Sequence, residues 1–262
     1  MPLQLSHPLL AYLKLRRTQV ILACFVSTSL LLIAFPGVDL RISRLFYDGG
    51  FYMAEQGWTR LLHVSVAWFV TGSLATVAAA YAFNRLSGRN FWGVDGKRVV
   101  YLLLVLAFGA GLVVNAMFKS EFGRARPRDI VEFGGTSHFT PAYAMSSNCS
   151  RNCSFSSGDG AGAFFALAFA AVGRRRRAVK TAAVAFGVLV SAARVAAGAH
   201  FLSDVVVSFF VMLIFSDALH FRLFQFDRVP APALRLPLPR PAQAQAPAAA
   251  LVPVAVKSSA RP

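Results

Sequence analysis

Long apolar runs separated by short polar and basic stretches organise this chain. Six of them, 19–35, 61–83, 99–118, 158–173, 178–197 and 204–224, reach or approach the roughly 20 helical residues that cross a hydrocarbon core. The fourth is short, so its ends are the least sharply defined. The pattern predicts an all-α protein, an integral membrane six-helix bundle occupying residues 1–228. After Val229 the chain reads PAPALRLPLPRPAQAQAPAAALVPVAVKSSARP, rich in Pro and Ala with no helical period. Residues 229–262 therefore read as a disordered cytoplasmic tail. The first run follows Lys14, Arg16 and Arg17 as a signal peptide would, but no small-x-small cleavage site follows LLIAFPG, so it reads as an uncleaved helix.

Composition supports the membrane reading. Of 262 residues 56% are hydrophobic and 15% charged, too apolar for an ordinary soluble domain. A formal net charge of +16 would point to nucleic acid in a soluble protein. Here the cations flank apolar runs or lie in the tail, which sets topology and favours a bilayer, not nucleic acid, as partner. Lys14, Arg16 and Arg17, then Arg85, Arg89, Lys97 and Arg98, then Arg174 to Arg177 with Lys180, mark the cytoplasmic loops. The loops after spans one, three and five then face the other side of the membrane. The second of these keeps Lys119, Arg124, Arg126 and Arg128 against the bias, so its charge has another reason.

Three clusters fall on that side. KSEFGRARP places Lys119 and Arg126 seven residues apart, on one face if the helix continues, with Pro127 ending it. Such cations can converge on an anion or snorkel to headgroups. SFSSGDG opens the fourth span, where Ser157 and Gly158 can offer a hydroxyl and amides to an anion. Ser157 and Asp159 can equally be helix caps, with Gly158, Gly160 and Gly162 serving helix packing. RVAAGAHFLSD holds Arg194, His200 and Asp204, with His200 and Asp204 four apart, a spacing that lets the carboxylate hold one ring nitrogen and leave the other to react. All three clusters sit at helix ends, whereas transporters often place ionisable groups near the midplane.

Cys24 reads as a packing residue in span one. Cys149 and Cys153 share the long external loop, and their spacing is compatible with a disulfide without requiring one. No set of Cys and His completes a metal site, so neither metal nor cofactor is expected.

In order, these motifs resemble those of the phosphatidic acid phosphatase type 2 superfamily, K-x6-R-P, P-S-G-H and S-R-x5-H-x3-D. The first is complete at Lys119, Arg126 and Pro127. The third is complete from Arg194 through His200 to Asp204, with Ala193 where the family has Ser. The second reads Ser156-Ser157-Gly158-Asp159, without its leading Pro and closing His. The long external loop, the NCSF preceding the second motif and the acidic residue after Ser-Gly resemble bacterial phosphatases of the lipid A 4'-phosphatase type.

The resemblance implies a hydrolase that cleaves a lipid phosphate monoester through a phosphohistidine. His200 would be the nucleophile and Asp204 its orienting carboxylate, while Lys119, Arg126, Arg194, Ser157 and Gly158 bind phosphate without a metal. The leaving-group acid stays open among Asp159, His138 and a substrate that needs none, such as undecaprenyl diphosphate. A vanadium haloperoxidase would need a large soluble scaffold, and a non-catalytic lipid-phosphate binder would not need His200 and Asp204.

Overall fold

The computed structural model describes residues 8–173 and 176–228; Arg174, Arg175 and the Pro/Ala-rich tail lie outside the described residues. The chain is helical between its loops: α1 Pro8–Leu13, α2 Arg16–Ala34, α3 Gly37–Arg44, α4 Gly57–Ser87, α5 Gly96–Glu121, α6 Gly158–Val172, α7 Arg176–Ala196 and α8 Leu202–Gln225. Among the described residues, α2, α4, α5, most of α7 and α8 are long and apolar enough to span a membrane. Helix α6 is the shorter apolar helix at the fourth run. At 1.5 Å per residue it covers roughly 22 Å of a core about 30 Å thick. The six runs are thus six helices, and the fourth is the short one.

Burial orders the bundle. The most apolar window of α8 is 44% buried against 6% for α4, so α8 is the central helix and α4 shows most of its surface outward. Trp68, Leu61 and Leu30 are exposed, as lipid-facing side chains must be. Inside, Tyr101, Val105, Phe155, Phe164, Phe165, Val207 and Met212 form one apolar cluster joining α5, α6 and α8. Lipid is as apolar as these side chains, so burial from water does not hold the helices together; close packing does. The GDGAGAFFALAFAAV of α6 suits that need. A Cβ on Gly162 would meet Val66 Cγ1 at 2.6 Å, so α4 and α6 approach closely there because Gly162 has no side chain.

Two local features aim the site. Asp95 caps α5 by accepting from the Arg98 amide at 2.8 Å. Further along, α5 widens to π-type winding over Val105–Phe118, and Asn115 Nδ2 donates to the Ala110 carbonyl at 2.7 Å. Such winding is common beside functional sites, and here it ends directly before Lys119.

Gly162→Leu must push α4 from α6 and should cost about 1–3 kcal/mol, read as a lower thermal unfolding midpoint in detergent. Gly72→Ala on α4, where an added Cβ meets nothing within 4 Å, should not destabilise.

Candidate active site

The loop between α5 and α6 brings the first two motifs together. Helix α5 stops at Glu121, and Gly123 turns the chain with a left-handed φ of 52°. Lys119 and Arg126 therefore do not share a face of a continuing helix. Arg126 is extended before Pro127, as the ring requires. The two cations meet through Asn152: Lys119 Nζ donates to its Oδ1 at 2.9 Å, and Arg126 Nη2 and Nε donate to its carbonyl at 2.9 and 3.3 Å. Burial first, then the neighbouring Arg128 and Arg194, lower the Arg126 pKa from its ordinary value. Guanidinium groups crowded in this way attract an anion.

Gly158 sits against this pair. A Cβ there would meet Asn115 Oδ1 at 2.9 Å and Lys119 Nζ at 3.1 Å, so glycine lets Lys119 reach the start of α6. Ser157 is buried and caps α6, its Oγ accepting from the Gly160 amide at 3.1 Å. The cap reading of Ser157 holds; the cap reading of Asp159 does not, because that carboxylate faces other helices.

His200 lies in the turn before α8 and is buried. Its Nδ1 is 2.9 Å from the Ser154 carbonyl and 3.6 Å from Asp204 Oδ2. A carbonyl can only accept, so Nδ1 carries the proton and Nε2 keeps the lone pair. Asp204 thus holds His200 mainly through Ser154, whose Oγ donates to Asp204 Oδ2 while its carbonyl holds the ring. Oδ2 also accepts from the Phe201 amide at 2.8 Å. Burial lowers the His200 pKa, with Asp204 opposing.

Beneath this pair lies Arg124, 1% exposed. Its guanidinium donates to Asp204 Oδ1 at 2.5 Å, Asp39 Oδ2 at 2.8 Å, Ser203 Oγ at 2.8 Å and the Thr140 carbonyl at 2.7 Å. It also lies 4.1 Å from the Phe201 ring centroid. Asp39, on α3, accepts from the Ser203 amide at 2.9 Å and from its hydroxyl. One cation and two carboxylates are locked together by hydrogen bonds in a buried site.

Arg194, near the end of α7, places Nε 2.8 Å from Asp159 Oδ2. The N–H does not point along that line, since Nε makes no hydrogen bond of good geometry, so the contact is chiefly one of charge. Asp159 Oδ1 lies 3.2 Å from His63 Nδ1 on α4. His138 is exposed, its backbone carbonyl accepting from Asn148 Nδ2. Among the described residues no bond joins the His138 ring to this cluster. Cys149 and Cys153 form a disulfide with Cα atoms 5.6 Å apart, next to Asn152. Among the described residues no group of three or more His, Cys, Asp or Glu is arranged around a metal position.

Sequence reasoning missed His63, Asp39, Ser154, Ser203 and Asn152, and it read Arg124 only as loop charge. An ionisable residue within an apolar run was the available signal for His63. Asp39 had a weaker one, a lone acid in the basic stretch GVDLRISR.

A multi-pass helical membrane protein with a buried histidine beside clustered cations is equipped to handle a lipid phosphate. The PAP2 superfamily profile matches residues 98–226. The chain is 31% identical over 192 residues to a lipid A 4'-phosphatase of Francisella tularensis subsp. novicida, covering 71% of this chain and 86% of that protein. It is 31% identical over 203 residues to one of Rhizobium leguminosarum, with 71% and 87% covered, and 30% identical over 205 residues to one of Rhizobium etli, with 71% and 79% covered. No solved structure matches the chain. The chain belongs to the PAP2 superfamily and is a PAP2 lipid phosphatase.

Arg124→Gln leaves two buried carboxylates facing each other and should cost about 3–5 kcal/mol, read by thermal unfolding; adding Asp39→Asn should recover part of the loss. Because the folded pKa of His200 is lowered, the unfolded chain takes up its proton first as pH falls. The stability contributed by neutral His200 is full above the ordinary histidine range, about 6.5, and is lost as pH drops below it. Unfolding midpoints of wild type and His200→Asn at pH 7.5 and 5 should show the smaller acid loss in the variant.

Proposed function

We propose that this protein removes a phosphate monoester from a membrane lipid, the 4'-phosphate of lipid A being the favoured substrate, through a phosphohistidine on His200. The observation that carries the reading is the commitment of His200 Nδ1 to the Ser154 carbonyl, which leaves the Nε2 lone pair free to attack. The three relatives bear the lipid A 4'-phosphatase name and align over most of their length, which supports that substrate. The positive-inside pattern, with relatives from bacteria, supports an inner-membrane location with the site toward the periplasm.

The geometry supports one assignment of roles. Lys119, Arg126 and Arg194, with the Ser157 hydroxyl and the Gly158 amide, bind the phosphate oxygens and stabilise the charge that builds on them. His200 Nε2 attacks phosphorus as the ester oxygen departs. The ring then carries positive charge, and the Asp39–Arg124–Asp204 group, with one more carboxylate than guanidinium, favours it. Water then attacks the phosphohistidine, releasing phosphate and restoring His200. These electrostatic elements are all side chains and amides of this chain, so the proposed route requires no metal or cofactor.

Detergent-purified wild type and His200→Ala are compared for phosphate release from lipid A, phosphatidic acid, phosphatidylglycerol phosphate and undecaprenyl diphosphate. Lipid A should be turned over fastest, with a loss of at least about 1,000-fold in the variant. Preference for another lipid would replace the substrate; a variant with normal turnover would remove His200 as nucleophile.

A further inference from the structure

Asp159 occupies the position where the second motif would have histidine, yet one of its oxygens already faces a guanidinium and the other a histidine ring. Arg194 Nε lies 2.8 Å from Oδ2 and His63 Nδ1 lies 3.2 Å from Oδ1. With a nitrogen group beside each oxygen, this carboxylate is placed to orient a ring and not to deliver a proton. We infer that His63 is the acid that protonates the departing lipid oxygen, and that Asp159 is the positioning carboxylate that holds it. The inference rests on the phosphatase reading above.

Helix packing fixes the partnership. His63 and Val66 lie three residues apart on α4, and Asp159 and Gly162 lie three apart on α6, so each pair shares a helix face. The close approach of Val66 to the bare Gly162 backbone therefore sets the two helices in the register that brings His63 to Asp159. His63 is at the start of α4, on the same end of the bundle as Lys119 and His200. Its side chain is 47% exposed against 22% for Asp159, so it can be reached by a lipid headgroup. Asp159 pairs with Arg194 and directly follows Gly158, against which Lys119 Nζ lies, so the His63 pair borders the phosphate-binding groups. Imidazole as a class gives up a proton near neutrality, which is what an alcohol leaving group requires.

The step balances. His200 Nε2 forms a bond to phosphorus as the bond from phosphorus to the lipid oxygen breaks, and the proton on His63 Nε2 passes to that oxygen, giving a neutral alcohol. With Nδ1 held by Asp159, Nε2 is the nitrogen left to face substrate. In the second half, His63 takes a proton from the attacking water while the phosphorus–nitrogen bond breaks. Phosphate leaves and both histidines return to their starting states.

The test compares wild type, His63→Gln, Asp159→Asn and His200→Ala, full-length in detergent, on lipid A and on 4-nitrophenyl phosphate, whose leaving group needs no proton. His63→Gln should slow lipid A hydrolysis about 100-fold or more and lower the ratio of the lipid A rate to the aryl rate by a similar factor. Asp159→Asn should lower that ratio in the same direction but less. A merely structural role would slow both substrates alike and leave the ratio unchanged, which overturns the inference, as does an unchanged lipid A rate in His63→Gln. A wild type that hydrolyses neither ester, or a His200→Ala variant that keeps its rate, overturns the phosphatase reading itself. His200-dependent turnover with an unmoved ratio overturns the inference alone.

Discussion

Arg124 reaches from the external loop into the bundle and joins Asp39 on α3 to Asp204 on α8, residues far apart in sequence, through one buried guanidinium. Removing so polar a group from water is costly unless its donors are used, and here all three nitrogens donate, in four hydrogen bonds. Much of the site hangs from this node. Asp204 is fixed by Arg124 on one oxygen and is free on the other to hold Ser154 and the start of α8; Ser154 in turn sets the tautomer of His200. The Ser154 amide donates back to the Arg124 carbonyl at 2.8 Å, so loop and histidine are tied at the same point.

The same loop supplies the phosphate end of the site. Asn152 draws Lys119 and Arg126 together, the adjacent disulfide closes its turn, and Ser146 Oγ donates to the Gly123 carbonyl at 2.7 Å where the chain leaves α5. A long irregular segment over a membrane helix end needs such ties, since its backbone groups have no ladder to satisfy them. Helices present the charges and the loop sets their spacing.

What could be read from the sequence follows from what is local. Apolar run length marked all six helices, including the short α6, because the hydrocarbon core imposes length directly. Lys119, Arg126, Ser157, Gly158, Arg194, His200 and Asp204 stood in ordered motifs, so their positions were visible before their contacts. The contacts were not. The expected single helix face for Lys119 and Arg126 gave way to a turn at Gly123, because pairing through Asn152 is a tertiary matter. Arg124 stood out only as one of four loop cations kept against the topological bias, since nothing nearby in sequence announces Asp39. His63 was hidden for the same reason: the glycine that sets its register lies on another helix.

The central claim is that the buried network prepares His200 Nε2 to take phosphate covalently. The most direct measurement is a rapid quench into base during turnover of a labelled lipid phosphate monoester, followed by peptide mapping of the labelled protein. The account predicts label on the peptide containing His200, attached at Nε2 and lost on the time scale of turnover. Label on any other residue, or single turnover complete with no phosphopeptide formed, would contradict it.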